Sequence, residues 1–241
     1  MFKPCISKFL LLITSLSGPV AFSQNGPVIA TGAMRNTMFN GQLSGLIALD
    51  SVASPGMYGV GPLEYLQGEL LLIDGTCYVS TTTSDSTMQV VARTDVKAPF
   101  FVNQRVEEWY EVEIPAQVTD LASLDEFLTK TYGDRLVPFA FKLAGTIHAL
   151  QVHVLALPPG TEVRSPADAH AHNKHFRTID REVEAIGFFF TQHKTVFTHH
   201  DSHIHVHAIT AEKDRMGHVE VLSFYPERVA LWVALEVAET K

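Results

Sequence analysis

The sequence predicts an α+β protein that is predominantly β. Turn and loop residues divide the chain into short apolar stretches of about five to nine residues, the usual length of strands. Apolar and polar residues alternate in residues 108–114 (EWYEVEI), which predicts a strand with one face in water and therefore a mostly antiparallel sheet. A hydrophobic fraction of 46% with 18% charged residues is typical of a folded globule.

The first 23 residues resemble a cleaved signal peptide. Two lysines precede a short apolar run, residues 9–16, and the small residues Ala21 and Ser23 follow where a signal peptidase reads. The run is too short to span a bilayer of ~30 Å, so cleavage fits better than a membrane anchor. The protein is therefore expected to be secreted or periplasmic.

Composition limits the partners and the redox chemistry. The formal net charge is −8, and Lys or Arg residues form no run, so neither nucleic acid nor an anionic membrane surface is an expected partner. Removal of Cys5 with the signal peptide leaves only Cys77, so the mature chain forms no internal disulfide. The twelve histidines are unusual, because neutral imidazole is a good metal ligand and proton carrier.

The strand pattern begins with a hairpin. Residues 68–73 and 76–80 are extended stretches around Asp74-Gly75, a strong turn signal. Further strands are expected in this order along the chain: residues 100–102, 108–114, 139–144 and 147–157.

Two helices are predicted. Apolar residues recur at helical spacing in residues 121–128, with Thr119 and Asp120 as N-cap candidates and Gly133 as a stop. A weaker pattern covers residues 43–52.

A polar, His-rich segment divides the chain. Residues 158–177 contain prolines and are expected to form a surface crossover between two β-rich parts. The predicted organisation is a signal peptide at 1–23, a β-rich part with one clear helix at 24–157, and a β part with the histidine cluster at 158–241, packed as one unit.

The most informative stretch is a histidine-rich strand. Side chains alternate along an extended strand, so His203, His205 and His207 share one face with neighbours ~7 Å apart. The alternate side chains then face the core: Ile204, Val206 and Ala208. His170, His172, His175, His199 and His200 are interpreted as surface residues.

A hairpin adds a third imidazole to this face. If residues 204–210 pair with residues 216–222, His207 lies opposite His218 and His205 lies opposite Glu220. The imidazoles of His205, His207 and His218 then form a patch that can bind one metal ion and leave positions open for substrate. The alternative without metal is a polar strand face that happens to be rich in histidine.

These motifs resemble those of the α-acetolactate decarboxylase family. The resemblance rests on HVHAIT (residues 205–210) and GHVEVLSF (residues 217–224), supported by four segments in the same order. Those segments are residues 56–78, KAPFF (97–101), FAFKLAGTI (139–147) and EAIGFFF (184–190). The resemblance covers most of the chain from about residue 33 to residue 231.

The resemblance implies a fold, a chemistry and a site. It implies a mixed β-sheet part followed by a β-barrel-like part, assembled as a homodimer. It also implies that His205, His207 and His218 hold Zn²⁺, and that Glu69 reaches the same site as a proton donor or ligand. The reaction would convert 2-acetolactate, a 2-hydroxy-3-keto acid, to acetoin.

The sequence departs from the family pattern at two points. His153 stands where the family has an active-site Arg, and Pro62 stands where it has a Thr. A further acidic residue near the family's C-terminus is not assigned to a residue of this chain. His153 is therefore expected to contact the departing carboxylate while protonated, with a weaker and pH-dependent charge.

Two other functions are compatible with the residues. The spacing His205-x-His207-x₄-Glu212 mimics a cupin metal site, in which Glu212 is a ligand. The departures at His153 and Pro62 also fit a metal-binding member of the decarboxylase fold that has lost its activity.

Overall fold

The computed structural model describes residues 25–191 and 202–236. The predicted signal peptide lies outside these residues, as do His199 and His200. Strands are numbered along the chain, and so are the α-helices, which are α1 (Met34–Asn40), α2 (Leu121–Tyr132) and α3 (Pro166–His170). No helix in the described part of the chain combines the length and apolar character needed to cross a membrane.

The first half of the chain builds a six-stranded antiparallel sheet. Its strands in spatial order are β1 (Ile29–Thr31), β8 (Phe101–Arg105), β3 (Met57–Pro62), β4 (Glu69–Ile73), β5 (Thr76–Thr82) and β6 (Met88–Ala92). A separate pair consists of β2 (Ile47–Ala48) and β7 (Lys97–Ala98). The predicted hairpin is confirmed as β4 and β5. Asp74 and Gly75 both have positive φ, at 46° and 78°, which a tight hairpin turn of this type requires.

A second antiparallel sheet carries the histidine cluster. Its strands in spatial order are β10 (Phe139–Val154), β11 (Lys174–Phe189), β12 (Ile204–Thr210), β13 (Met216–Ala234) and β9 (Tyr110–Val112). β10 also pairs with β13. The predominantly β, antiparallel fold is confirmed, whereas the barrel-like shape of this part stays a prediction.

The two strands predicted at residues 139–144 and 147–157 are one continuous strand, β10. It passes through an irregularity at Gly145, where the register with β13 shifts. Gly145 has a φ of 139°, and a Cβ there would lie 2.2 Å from the carbonyl oxygen of Arg228. A glycine therefore lets the strand continue where sequence alone suggests a break.

The two helix predictions have opposite outcomes. α2 is confirmed: Asp120 caps it by accepting a hydrogen bond from the Ser123 amide, and Leu124 and Leu128 are buried. The helix predicted at residues 43–52 is wrong. This segment forms β2 and a short 3₁₀ turn at Leu49–Ser51, because pairing with β7 outweighs a weak helical pattern.

The predicted crossover at residues 158–177 connects β10 to β11. These strands are neighbours in the same sheet, so the segment does not lead from one sheet to the other. It contains α3 and the first residues of β11. The division of the chain into parts at residue 157 stays a prediction.

The two sheets pack face to face. Val60 and Leu71 of the six-stranded sheet share a buried cluster with Ile186 and Phe188 of the five-stranded sheet. Because strand side chains alternate, Glu69 points to the same face of β4 as Leu71, toward the second sheet. The predicted core positions of β12 are confirmed: Ile204, Val206 and Ala208 are all buried.

Candidate metal centre

Three histidines meet where β12 and β13 form a hairpin. The predicted register is confirmed, with His207 opposite His218. His205 lies two residues before His207 on the same face of β12, and its ring is 5.1 Å from that of His207 and 5.0 Å from that of His218. One nitrogen of each ring lies within 4.8 Å of the others, close enough for a single ion to contact all three after small side-chain rotations.

The electrostatic setting of the triad suits metal binding. His207 is 1% exposed. Burial, followed by the nearby His205 and His153, lowers the pKa of His207 well below its ordinary value, so the ring is neutral. A neutral imidazole keeps a lone pair for a cation, and burial excludes competing water. The three residues can therefore hold a divalent metal ion.

A buried carboxyl group from the other sheet completes this pocket. Glu69, at the start of β4, is only 2% exposed. Its Oε2 lies 3.7 Å from Nε2 of His207, and its Oε1 is 3.4 Å from the Leu155 amide, which donates to it. Burial raises the pKa of Glu69 well above its ordinary value, against the smaller effect of that hydrogen bond. The carboxyl is thus able to keep a proton beside the triad.

His153 joins the pocket from β10, a third strand of the five-stranded sheet. On β10 it lies opposite His218 of β13 and opposite His175 of β11. Its ring stacks on that of His218, with centroids 4.7 Å apart and planes 27° apart. Its Nε2 lies 3.8 Å from Oε1 of Glu69. The structure therefore brings together all five residues predicted for the site.

Glu220 does not lie where the sequence predicts. The ladder of β12 with β13 reaches only to His207 and His218, and β13 pairs with β10 from there on, so Glu220 is not opposite His205. Its two carboxylate oxygens instead accept hydrogen bonds from Nδ1 of His153 and of His175, at 3.0 and 2.8 Å. Burial acts to raise the pKa of Glu220, but hydrogen bonds from His153, Gln151 and His175 lower it to about 2.

His203 is separate from the triad. It precedes β12, so strand alternation does not fix its side chain. Its Nδ1 lies 3.2 Å from Oδ1 of Asp125 and 3.1 Å from Oγ1 of Thr129, both on α2. The prediction that His203 shares the face of His205 and His207 is therefore wrong.

Two further predictions are tested by side-chain positions. His170, interpreted as a surface residue, has its ring 5.6 Å from that of His153 and lines the site. No local pattern indicates this, because α3 reaches the site through tertiary packing. Glu212 lies in the hairpin turn, 57% exposed and bonded to Arg181, which argues against the cupin-type site.

Two cavities at the site share part of their lining. A small inner cavity of about 20 Å³ is bounded by the triad, Glu69 and His153, and by the apolar side chains Met34, Met38 and Phe100. Pro62, opposite Glu69 in the β3–β4 ladder, also lines it. An outer cleft of about 1080 Å³ runs between α2 and the five-stranded sheet, and shares His153, His170 and His218 with the inner cavity. His218 of the triad therefore lines the outer cleft as well as the inner cavity.

The chain has known relatives with this fold. It is 24% identical over 235 residues to the α-acetolactate decarboxylase of Brevibacillus brevis, covering 91% of this chain and 78% of that protein. The crystal structure of α-acetolactate decarboxylase from Bacillus subtilis strain 168 superposes with a TM-score of 0.71 at 17% identity, covering 88% and 86% of the two chains.

A second solved structure, from Staphylococcus aureus, is a protein of unknown function similar to α-acetolactate decarboxylase. It gives a TM-score of 0.68 at 18% identity and covers 88% of this chain and 86% of its own. The sequence profile of the α-acetolactate decarboxylase family matches residues 31–237. This match spans most of the sequence, and the chain belongs to the α-acetolactate decarboxylase family.

Proposed function

We propose that this protein converts 2-acetolactate to acetoin with a divalent metal ion, zinc first among the candidates, held by His205, His207 and His218. The observation that carries the proposal is the meeting of three imidazoles and a buried glutamate in one pocket of a decarboxylase-family chain. Three imidazoles with open positions are a usual zinc ligand set of catalytic sites.

The reaction needs a group that stabilises negative charge and a group that supplies a proton. A bound metal ion would supply a Lewis acid where charge develops on the substrate oxygens. Loss of carbon dioxide leaves an electron pair on carbon, and a proton must then reach that carbon. Glu69 is suited to donate it, because burial raises its pKa well above the ordinary value and it lies beside His207. The apolar inner wall limits competing water.

His153 would contact the departing carboxylate. It lines both the outer cleft and the inner cavity, with its ring stacked on His218 and its Nε2 near Glu69. A protonated imidazole that bonds Glu220 through Nδ1 can still donate one hydrogen bond from Nε2, whereas an arginine offers two in a fork. The expected consequence is weaker binding of the carboxylate than an arginine would give.

The direct test measures acetoin. Purified residues 24–241 are stripped with a chelator, reloaded with zinc, manganese or cobalt, and incubated with 2-acetolactate. Acetoin should form faster than by spontaneous decarboxylation in a reloaded sample and at the spontaneous rate in the stripped one. Acetoin at the spontaneous rate in every reloaded sample, beside an active relative, would overturn the proposal.

A second candidate is a metal-binding protein of this family without decarboxylase activity. It is favoured by His153 and Pro62, since both line the inner cavity where the family pattern has Arg and Thr. The double substitution His153→Arg, Pro62→Thr discriminates between the two. Activity gained by an inert parent would support this second function, whereas an active parent excludes it.

We also propose that the protein is exported, on the strength of its basic, apolar and small-residue N-terminal pattern. Mass spectrometry of the protein from its native host should show a mature chain starting near residue 24. An intact N-terminus on cytoplasmic protein would contradict export.

The homodimer implied by the family resemblance is likewise a proposal, and light scattering on the mature chain tests it.

A further inference from the structure

Four histidines form a row across four neighbouring strands. Cross-strand pairing places His175 opposite His153, His153 opposite His218, and His218 opposite His207. The side chain of His175 is 51% exposed, whereas those of His153 and His207 are 6% and 1% exposed. His218, between the last two, is partly exposed and lines the outer cleft. His153 thus lies beside His218 of the triad and, like it, lines both the outer cleft and the inner cavity.

Nδ1 of His153 donates a hydrogen bond to a glutamate, Glu220. Glu220 accepts from Nδ1 of His153 at 3.0 Å through Oε1 and from Nδ1 of His175 at 2.8 Å through Oε2. Gln151 donates a third hydrogen bond to Oε2 at 2.9 Å. These three contacts, from the neighbouring strands β10 and β11, hold both oxygens of the Glu220 carboxylate.

The bond to Glu220 determines which nitrogen of His153 faces the pocket. A carboxylate only accepts, so Nδ1 carries the hydrogen of this bond and Nε2 is left to face inward. That nitrogen lies 3.8 Å from Oε1 of Glu69. A ring turned by half a revolution about its Cβ–Cγ bond would break the bond to Glu220 and present carbon atoms to the pocket.

We propose that Glu220 is a positioning residue, which holds the imidazole of His153 so that Nε2 faces the pocket of Glu69 and the triad. His175 and Gln151 support it by fixing the Glu220 carboxylate. The inference rests on the proposed function in one respect, namely that His153 contacts the carboxylate of the substrate. Glu220 itself touches neither substrate nor metal.

The first measurement uses the resting protein. In the Glu220→Gln variant, His153 loses the charged acceptor that holds the orientation of its ring, so the imidazole nitrogen NMR signals of His153 should shift and broaden. Those signals are assigned by their loss in His153→Gln. The control is Glu227→Gln, an exposed glutamate on the same strand. His153 signals that are unchanged in Glu220→Gln would overturn the proposal, whether or not the protein is an active decarboxylase.

The second measurement separates positioning from a structural role. KM for 2-acetolactate should rise about tenfold in Glu220→Gln, the usual size of an outer-sphere effect, while kcat changes little. Inhibition by acetoin, which lacks the carboxylate, should stay within twofold of the parent, and metal content and melting temperature should not change. An equal loss of affinity for substrate and acetoin, or a loss of metal, would show that Glu220 acts on the whole site and would contradict the proposal.

Discussion

The two sheets contribute to the site in different ways. The histidines of the pocket that lie on strands all come from the five-stranded sheet. Its neighbouring strands place His153 opposite His218 and His218 opposite His207. The six-stranded sheet supplies one carboxyl, Glu69, which reaches the triad across the interface between the sheets. The imidazoles therefore depend on local strand pairing, whereas the carboxyl depends on how two sheets pack. Separate substitutions should be able to remove metal binding and proton donation independently.

The largest effect is expected from the triad itself. The double substitution His205→Ala, His207→Ala removes two of the three candidate ligands, so metal content should fall from about one ion per chain to near zero. Decarboxylation should fall by at least ~10³-fold. Elemental analysis of protein purified without added metal measures the first and acetoin production the second. The matched control is His148→Ala, an exposed histidine on β10 that should keep full metal content. A double variant that still binds one ion would place the metal elsewhere.

A smaller and different loss is expected from the six-stranded sheet. Glu69→Gln preserves the shape of the side chain but removes its acidic proton, so kcat should fall by ~10²- to 10⁴-fold, the usual contribution of a general acid. Metal content should stay near that of the parent, because the imidazoles remain. The exposed Glu111 on β9 provides the control substitution Glu111→Gln. Loss of the metal in Glu69→Gln would instead make Glu69 a ligand, the other role that the sequence left open.

The contrast between local strand pairing and packing of the two sheets also explains which parts of the site can be predicted from the sequence. The pairing of His207 with His218 is predictable because the two strands are joined by a short turn and side chains alternate. The helix at Asp120 is predictable for the same local reason. The role of Glu69 is predicted only through the family resemblance, because no local sequence pattern indicates how the two sheets pack.

The errors at Glu220 and His170 both come from contacts between distant parts of the chain. The sequence predicts Glu220 opposite His205 because it assumes that β12 and β13 stay paired beyond His218. In the structure β13 pairs with β10 there. The position of His153 depends on that same pairing between residues 65 positions apart in the chain. His170 approaches the site on α3, through packing that spacing does not reveal. The positions of these side chains are therefore harder to predict from the sequence than the strands and helices that carry them.

An intermediate loss of metal affinity is expected when the contact between β10 and β13 beside His218 is disturbed. A Cβ on Gly217 would lie 2.4 Å from the carbonyl oxygen of His153, so Gly217→Ala must move β13 away from β10 and displace His218. Metal affinity should fall by about 10- to 100-fold, with a lower melting temperature. Gly145→Ala is the control, because its Cβ would meet the carbonyl oxygen of Arg228 at 2.2 Å, in the part of the β10–β13 pair that is distant in sequence from His153 and His218. Similar metal affinity in the two variants would mean that the β10–β13 contact does not position His218.

The smallest effect is expected at the helix that flanks the outer cleft. Asp120 accepts a hydrogen bond from the Ser123 amide at 2.8 Å at the start of α2, and Ser123 in turn bonds the Asp120 backbone. Asp120→Ala should destabilise the fold by about 1 kcal/mol and lower the melting temperature by about 2–4 °C. Metal content and kcat should remain within twofold, because α2 supplies no member of the triad. Asp134→Ala, an exposed aspartate just beyond this helix, should leave the melting temperature unchanged. A drop in kcat larger than the drop in stability explains would indicate that α2 helps to shape the inner cavity as well as the cleft.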